Sequence, residues 1–229
     1  MKKQNRGYVI GNSVIASEVG TGHLFENVRY NPPCFEMDKN QITPVGYVDM
    51  KIMQNGREIP WEISEIIENT YPLYRAKITA DNGTEFDFEA FAPITPASSR
   101  DMFMPAALMS FYATCGGGEI SVSLSFKGEG DFDRYVRIED AFGTTETAKT
   151  VCVNKGTKVT AAFGIYDKRS LWTNLFEKAA DLSEYAVKEY GTYKDGIEKF
   201  ISKIPVFGDE KINEYVRWYT QAAVMLTKA

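Results

Sequence analysis

His23 is the sole histidine in 229 residues, so any Ser-His-Asp or Cys-His relay would have to run through it. No Gly-x-Ser-x-Gly elbow accompanies it and Cys34 follows two prolines. A nucleophilic triad is therefore not expected, and His23 reads as a loop residue or a hydrogen-bonded core residue. The densest carboxylates are Asp131, Asp133, Glu139 and Asp140, in the run GDFDRYVRIED. Paired carboxylates can share acid–base work or hold calcium. Here the EF-hand spacing is missing and Arg134 and Arg137 interleave as local charge partners, so the run reads as a solvated strand edge. Gly116 to Gly118 precede no helix and are not followed by Lys-Ser/Thr, which makes them a turn rather than a phosphate cradle. Two loops suit a hydroxyl-rich ligand. One spans His23–Pro33 and carries Arg29 and Tyr30; the other runs from Ser98 and carries Arg100 and Asp101. Aromatic faces beside mixed donors and acceptors match sugar hydroxyls. These four are the candidate substrate contacts; no catalytic residue, metal ligand or cofactor site is assigned.

Composition narrows the classes. The chain is 44% hydrophobic and 25% charged with no low-complexity tract, which is ordinary for a globular protein. Its formal net charge of −5 argues against a nucleic-acid surface, where clustered Lys and Arg must meet phosphates. No segment reaches the roughly 18–20 apolar residues needed to cross a bilayer, and no basic amphipathic helix suits a membrane surface. The first residues, MKKQNRGYVIGNS, lack the apolar centre of a signal peptide. Cys34, Cys115 and Cys152 are widely spaced and odd in number, neither a disulfide framework nor a zinc site. They are expected as buried apolar residues of a cytoplasmic protein.

The elements that must position these residues follow from periodicity. Strands are expected at Tyr8–Ile10, Val14–Ala16, Gly46–Met53, Trp61–Glu68, Tyr74–Thr79, Thr84–Ala90, Tyr135–Glu139, Lys149–Asn154 and Lys158–Ile165. They are punctuated by Gly11-Asn12, Asn55-Gly56, Asp81-Asn82-Gly83 and Asn154-Lys155-Gly156 turns. The segment His23–Pro33 is expected as a long loop. Between Thr84 and Phe126 lie an alternating run, a Pro-rich connection, the almost wholly apolar Ala106–Ala113, a glycine turn and the alternating Ile120–Phe126. Alternation marks half-buried strands and a continuous apolar run marks one buried on both faces. About ten to twelve strands in a large antiparallel sandwich account for this pattern.

Near Tyr166 the period changes to three and four. Ser170–Tyr190 reads as an amphipathic helix, Asp195–Ile204 as a second one stopped by Pro205, and Glu210–Ala229 as a third capped by Asp209. The third is apolar over too wide an arc for a surface helix and is expected to need neighbours on several sides.

Two runs carry a resemblance. Phe88-Glu-Ala-Phe-Ala-Pro-Ile-Thr-Pro followed by Met104-Pro-Ala-Ala-Leu-Met-Ser-Phe resembles the N-terminal domain of glucosylceramidase-like glycosidases and their relatives. Ile212 to Leu226, with Asn213, Trp218 and Gln221, is similar to the first barrel helix of cellobiose-phosphorylase-like enzymes. The resemblance implies a mainly β chain: a galactose-mutarotase-like antiparallel β-supersandwich over residues 1–166, followed by C-terminal α-helices. These form a helical linker over 167–205 and, over 206–229, the opening helix of a six-hairpin α/α barrel. In such enzymes the catalytic acid belongs to the barrel, so the chain is expected as a non-catalytic part of a glycoside hydrolase or phosphorylase, inactive alone. Its partners would be carbohydrate and the barrel, with no nucleic acid and no membrane. A stand-alone carbohydrate-binding module that dimerises through the last helix is the alternative; a mutarotase-type epimerase is a further one.

Overall fold

Backbone pairing in the computed structural model follows the alternating runs. It describes residues 10–12, 15–20, 22–31, 43–94, 101, 103–116, 119–139, 148–168 and 171–226. The chain is mainly β, a large antiparallel sandwich followed by C-terminal helices. One sheet holds β1 (Ile10–Gly11), β2 (Ile15–Val19), β3 (Phe25–Tyr30), β4 (Thr43–Gln54), β5 (Arg57–Ile59), β10 (Ile120–Lys127) and β12 (Ala148–Val153). The other holds β6 (Trp61–Thr70), β7 (Leu73–Ala80), β8 (Glu85–Phe91), β9 (Ala106–Cys115), β11 (Asp133–Ile138) and β13 (Lys158–Tyr166). The first sheet runs β1-β2-β3-β4-β10-β12 with β5 beside β4, and the second β11-β13-β9-β8-β7-β6.

Turn chemistry sets the register. Asn55 and Gly56 both have positive φ (51° and 75°), the twist that a two-residue hairpin between β4 and β5 requires. At Asp81–Gly83 the Asn82 Oδ1 accepts the Thr84 amide at 3.0 Å, and Gly83 takes φ 79°. Inward residues of the two sheets, among them Phe25, Val48, Ile52, Phe88, Phe111, Leu124 and Phe163, form one core. Each such aromatic or aliphatic side chain contributes about 1.5–3 kcal/mol by leaving water.

Helix α1 (Ala179–Lys188) lies across β9, β11 and β13, and α2 (Tyr190–Ile201) follows it. They explain the continuous apolar run in β9. Ala107, Met109 and Phe111 face the inter-sheet core, whereas Ala106 and Leu108 belong to a second cluster with Leu182, Ala186, Tyr190 and Ile197 of the helices. Tyr112, past the helix cover, is 45% exposed. Helix α3 (Glu210–Leu226) comes last. No helix among the described residues is long and apolar enough to cross a membrane.

Three expected elements need correction. The expected loop His23–Pro33 contains strand β3, whose core residues Phe25, Val28 and Tyr30 are spaced by three and then two. Asn27 at φ 50° and the register shift beside it insert a bulge, which breaks the alternation a strand otherwise shows. Strand β5 was also unforeseen, being three residues long. The helix expected over Ser170–Tyr190 is a 3₁₀ turn at Leu171–Asn174 followed by α1; Trp172 stacks on Phe176 and meets Tyr185, while Leu175 is exposed. The second helix begins at Tyr190, because Tyr190 and Tyr193 serve as core residues with their hydroxyls bonded inside.

Candidate functional site

The four candidate contacts do not gather in one place. Arg29 and Tyr30 lie in β3; Arg29 is half-buried, and Tyr30 is 1% exposed with its hydroxyl donating to Asp167 Oδ2 at 2.8 Å. Tyr30 therefore presents no ring face to solvent. Asp101 is buried and accepts a hydrogen bond from the Tyr193 hydroxyl at 3.4 Å, fastening α2. Arg100 lies outside the described residues, as do Cys34 and Asp140. Asp131, Asp133 and Glu139 are exposed, as a solvated edge should be. Arg134, however, turns to main-chain carbonyls: its Nε donates to Val45 O at 2.7 Å, and its outer nitrogens reach the carbonyls of Glu129, Gly130 and Phe132. It stiffens the glycine turn before β11 rather than neutralising the acids. Cys115, expected inside, is an exposed free thiol at the end of β9.

The chemistry gathers instead around His23. Its turn, between β2 and β3, is held by Glu26, whose carboxylate accepts the Gly22 amide at 3.1 Å. A β-carbon at Gly20 would collide with that side chain. On β4, Val48, Met50 and Ile52 point into the core, which throws Tyr47, Asp49 and Lys51 to the opposite face. The His23 ring stacks on Tyr47, with centroids 4.0 Å apart, and its Nδ1 bonds Asp49 Oδ1. Lys127, opposite Tyr47 on β10, donates to Asp49 Oδ2 at 2.7 Å. Burial works against ionising Asp49, but the bonds from Lys127 and His23 outweigh it and hold the carboxyl below its usual range. The same bond raises the Lys127 ammonium.

Beside this group opens a cleft of about 440 Å³ lined by His23, Asp49, Lys51, Glu58, Trp61 and Glu62, among others. Trp61 packs against the inter-sheet core and spends its indole N–H on Met50 O at 3.0 Å. Lys51 pairs with Glu58 across the β4–β5 hairpin at 3.0 Å. A carboxylate fixing one imidazole nitrogen sets the tautomer and leaves the other nitrogen for a hydrogen bond or a proton. Sequence reasoning weighed His23 but missed Asp49 and Trp61. The signal available was the alternation Tyr47, Asp49, Lys51; what joins it to His23 is the β3–β4 pairing.

A second feature is the outward face of α3. Asp209 Oδ1 accepts the Lys211 amide at 2.8 Å, the expected N-cap. Asn213 is buried and clasps Phe207 twice, accepting from its N–H at 2.8 Å and donating to its carbonyl at 2.9 Å. Val224 joins the helix-side cluster. Ile212, Tyr215, Trp218 and Tyr219 instead stand 45–66% exposed. Set against models of known protein families and against curated proteins, the chain matches none.

Proposed function

We propose that this chain is the N-terminal β-supersandwich and helical linker of a carbohydrate-active enzyme, a glycoside hydrolase or phosphorylase, where it supports a catalytic α/α barrel. The observation that carries the reading is the outward face of α3. Ile212, Tyr215, Trp218 and Tyr219 fall at i, i+3, i+6 and i+7, the stripe by which one helix packs into another. Contiguous aromatic surface of this kind marks an interaction site. A helical neighbour is what the resemblance of Ile212–Leu226 to a barrel helix implies, and the order of sandwich, packed helices and apolar-faced helix agrees with that plan. The sandwich would then position the barrel and could lend a loop to its sugar site.

The test is turnover. The purified chain is expected to leave aryl-glycosides unhydrolysed and unphosphorolysed; robust turnover overturns the reading. The same face also admits a stand-alone module that dimerises. A concentration-dependent dimer in light scattering, abolished by Trp218→Ser with Tyr219→Ser, would favour that second reading.

A further inference from the structure

We propose that the cleft between Gly20, Gly22 and His23 on one side and strands β4 to β6 on the other binds a neutral, hydroxyl-rich ligand of monosaccharide size, through His23, Asp49 and Trp61. This inference uses residues of the sandwich alone and does not depend on the reading of α3.

The volume of about 440 Å³ falls within the range of roughly 300–1,000 Å³ typical of small-molecule sites. Its charges decide the ligand class. Asp49 already sits between His23 and Lys127, and Lys51 already pairs with Glu58. An anionic ligand would have to displace a carboxylate from one of these pairs and leave it uncompensated. Hydroxyl groups need no such exchange: each can donate to a carboxylate lone pair or to the free imidazole nitrogen, and accept from an ammonium, while the pairs persist. Glu62, exposed at the rim, adds an acceptor.

The remaining features fit the same ligand. His23 is 38% exposed at its side chain, and beyond the Asp49 bond its ring makes no hydrogen bond among the described residues. The Tyr47 stack and the Asp49 bond fix its orientation beforehand, which lowers the ordering cost of binding. Trp61 has used its single donor on Met50, so its contribution to the cleft is apolar ring surface, suited to the C–H face of a pyranose. As a purely stabilising device the arrangement would be a poor one, since exposed ion pairs are worth at most about 1 kcal/mol.

The experiment follows the Trp61 indole N–H by nuclear magnetic resonance in the full chain during titration. Glucose, galactose and mannose are the neutral probes, inorganic phosphate the anionic one and putrescine the cationic one. At least one sugar is expected to shift the Trp61 signal saturably in the millimolar range. His23→Ala and Asp49→Asn should each weaken that binding about tenfold, the loss of one hydrogen bond to a charged or oriented group. Trp218→Ala, remote in sequence on α3, should leave it unchanged. If His23→Ala does not fold, His23→Gln replaces it. Saturation by phosphate or putrescine without any sugar, no saturable shift with any sugar, or sugar binding unchanged in both cleft variants would each overturn the proposal.

Discussion

Two carboxylates, Glu89 and Asp49, are surrounded by the same kinds of partner and do different things. Glu89, on β8, accepts from Arg75 Nε at 2.7 Å, Lys194 Nζ at 2.9 Å and the Tyr190 hydroxyl at 2.7 Å. Arg75 also reaches Glu68 at 2.8 Å and Glu198 at 3.0 Å, and the Tyr190 oxygen accepts from the Ser110 hydroxyl at 3.0 Å. The Glu89 side chain is 10% exposed, its donors come from β7 and α2, and the group is closed. Asp49 has two donors, half-open neighbours and a cleft beside it. Saturated partners and burial make Glu89 a clamp between helix and sheet. Spare hydrogen-bonding capacity and exposure make Asp49 a candidate for recognition. The difference lies in what surrounds the carboxylate, not in the carboxylate.

The largest expected effect breaks the clamp. Glu89→Ala removes the acceptor that Arg75, Lys194 and Tyr190 share, and breaking a buried pair costs about 3–5 kcal/mol; the thermal unfolding temperature should fall accordingly. Stability at least as high as wild type would show that the network is dispensable. Tyr190→Phe removes the hydroxyl but keeps the ring against Phe91. It should cost about 1–3 kcal/mol, measured by denaturant unfolding.

Acid titration separates the two sites further. Burial opposes ionisation of Glu89, but Lys194, Tyr190 and Arg75 together hold its pKa below 4.5. Asp49 is likewise held below 3.8. Each folded-state pKa lies below its unfolded value, so the unfolded chain binds more protons. The stabilisation is full above the unfolded value and fades as pH falls through the folded one. Unfolding followed from pH 6 downwards should steepen below about 4.5, and Glu89→Gln should flatten that slope more than Asp49→Asn. Equal flattening would erase the distinction. The smallest effect is Asp49→Asn on stability itself, under about 1 kcal/mol, because His23 and Lys127 are well exposed.

Much of the fold was legible in the residues. Alternation located most strands, turn pairs such as Asn55-Gly56 fixed hairpins, and Asp209 announced its helix. Strand β3 was hidden because its bulge at Asn27 disrupts the period by which strands are recognised. Of the site, His23 was visible as a lone imidazole, but Tyr30 and Asp101 were read as ligand contacts when both are turned inwards.

Local periodicity and turn chemistry, which act over a few residues, thus determined a mainly β chain closed by helices. Which polar side chains meet was decided by the tertiary structure. His23 and Asp49 come together through β3 pairing with β4, and Asp49 meets Lys127 through β4 pairing with β10. Glu89 meets Tyr190, 101 residues away in sequence, once α2 settles on the sheet. Hydrogen bonds act over about 3 Å, so whether a polar residue is clamped or left open to a ligand depends on long-range register that no local pattern encodes.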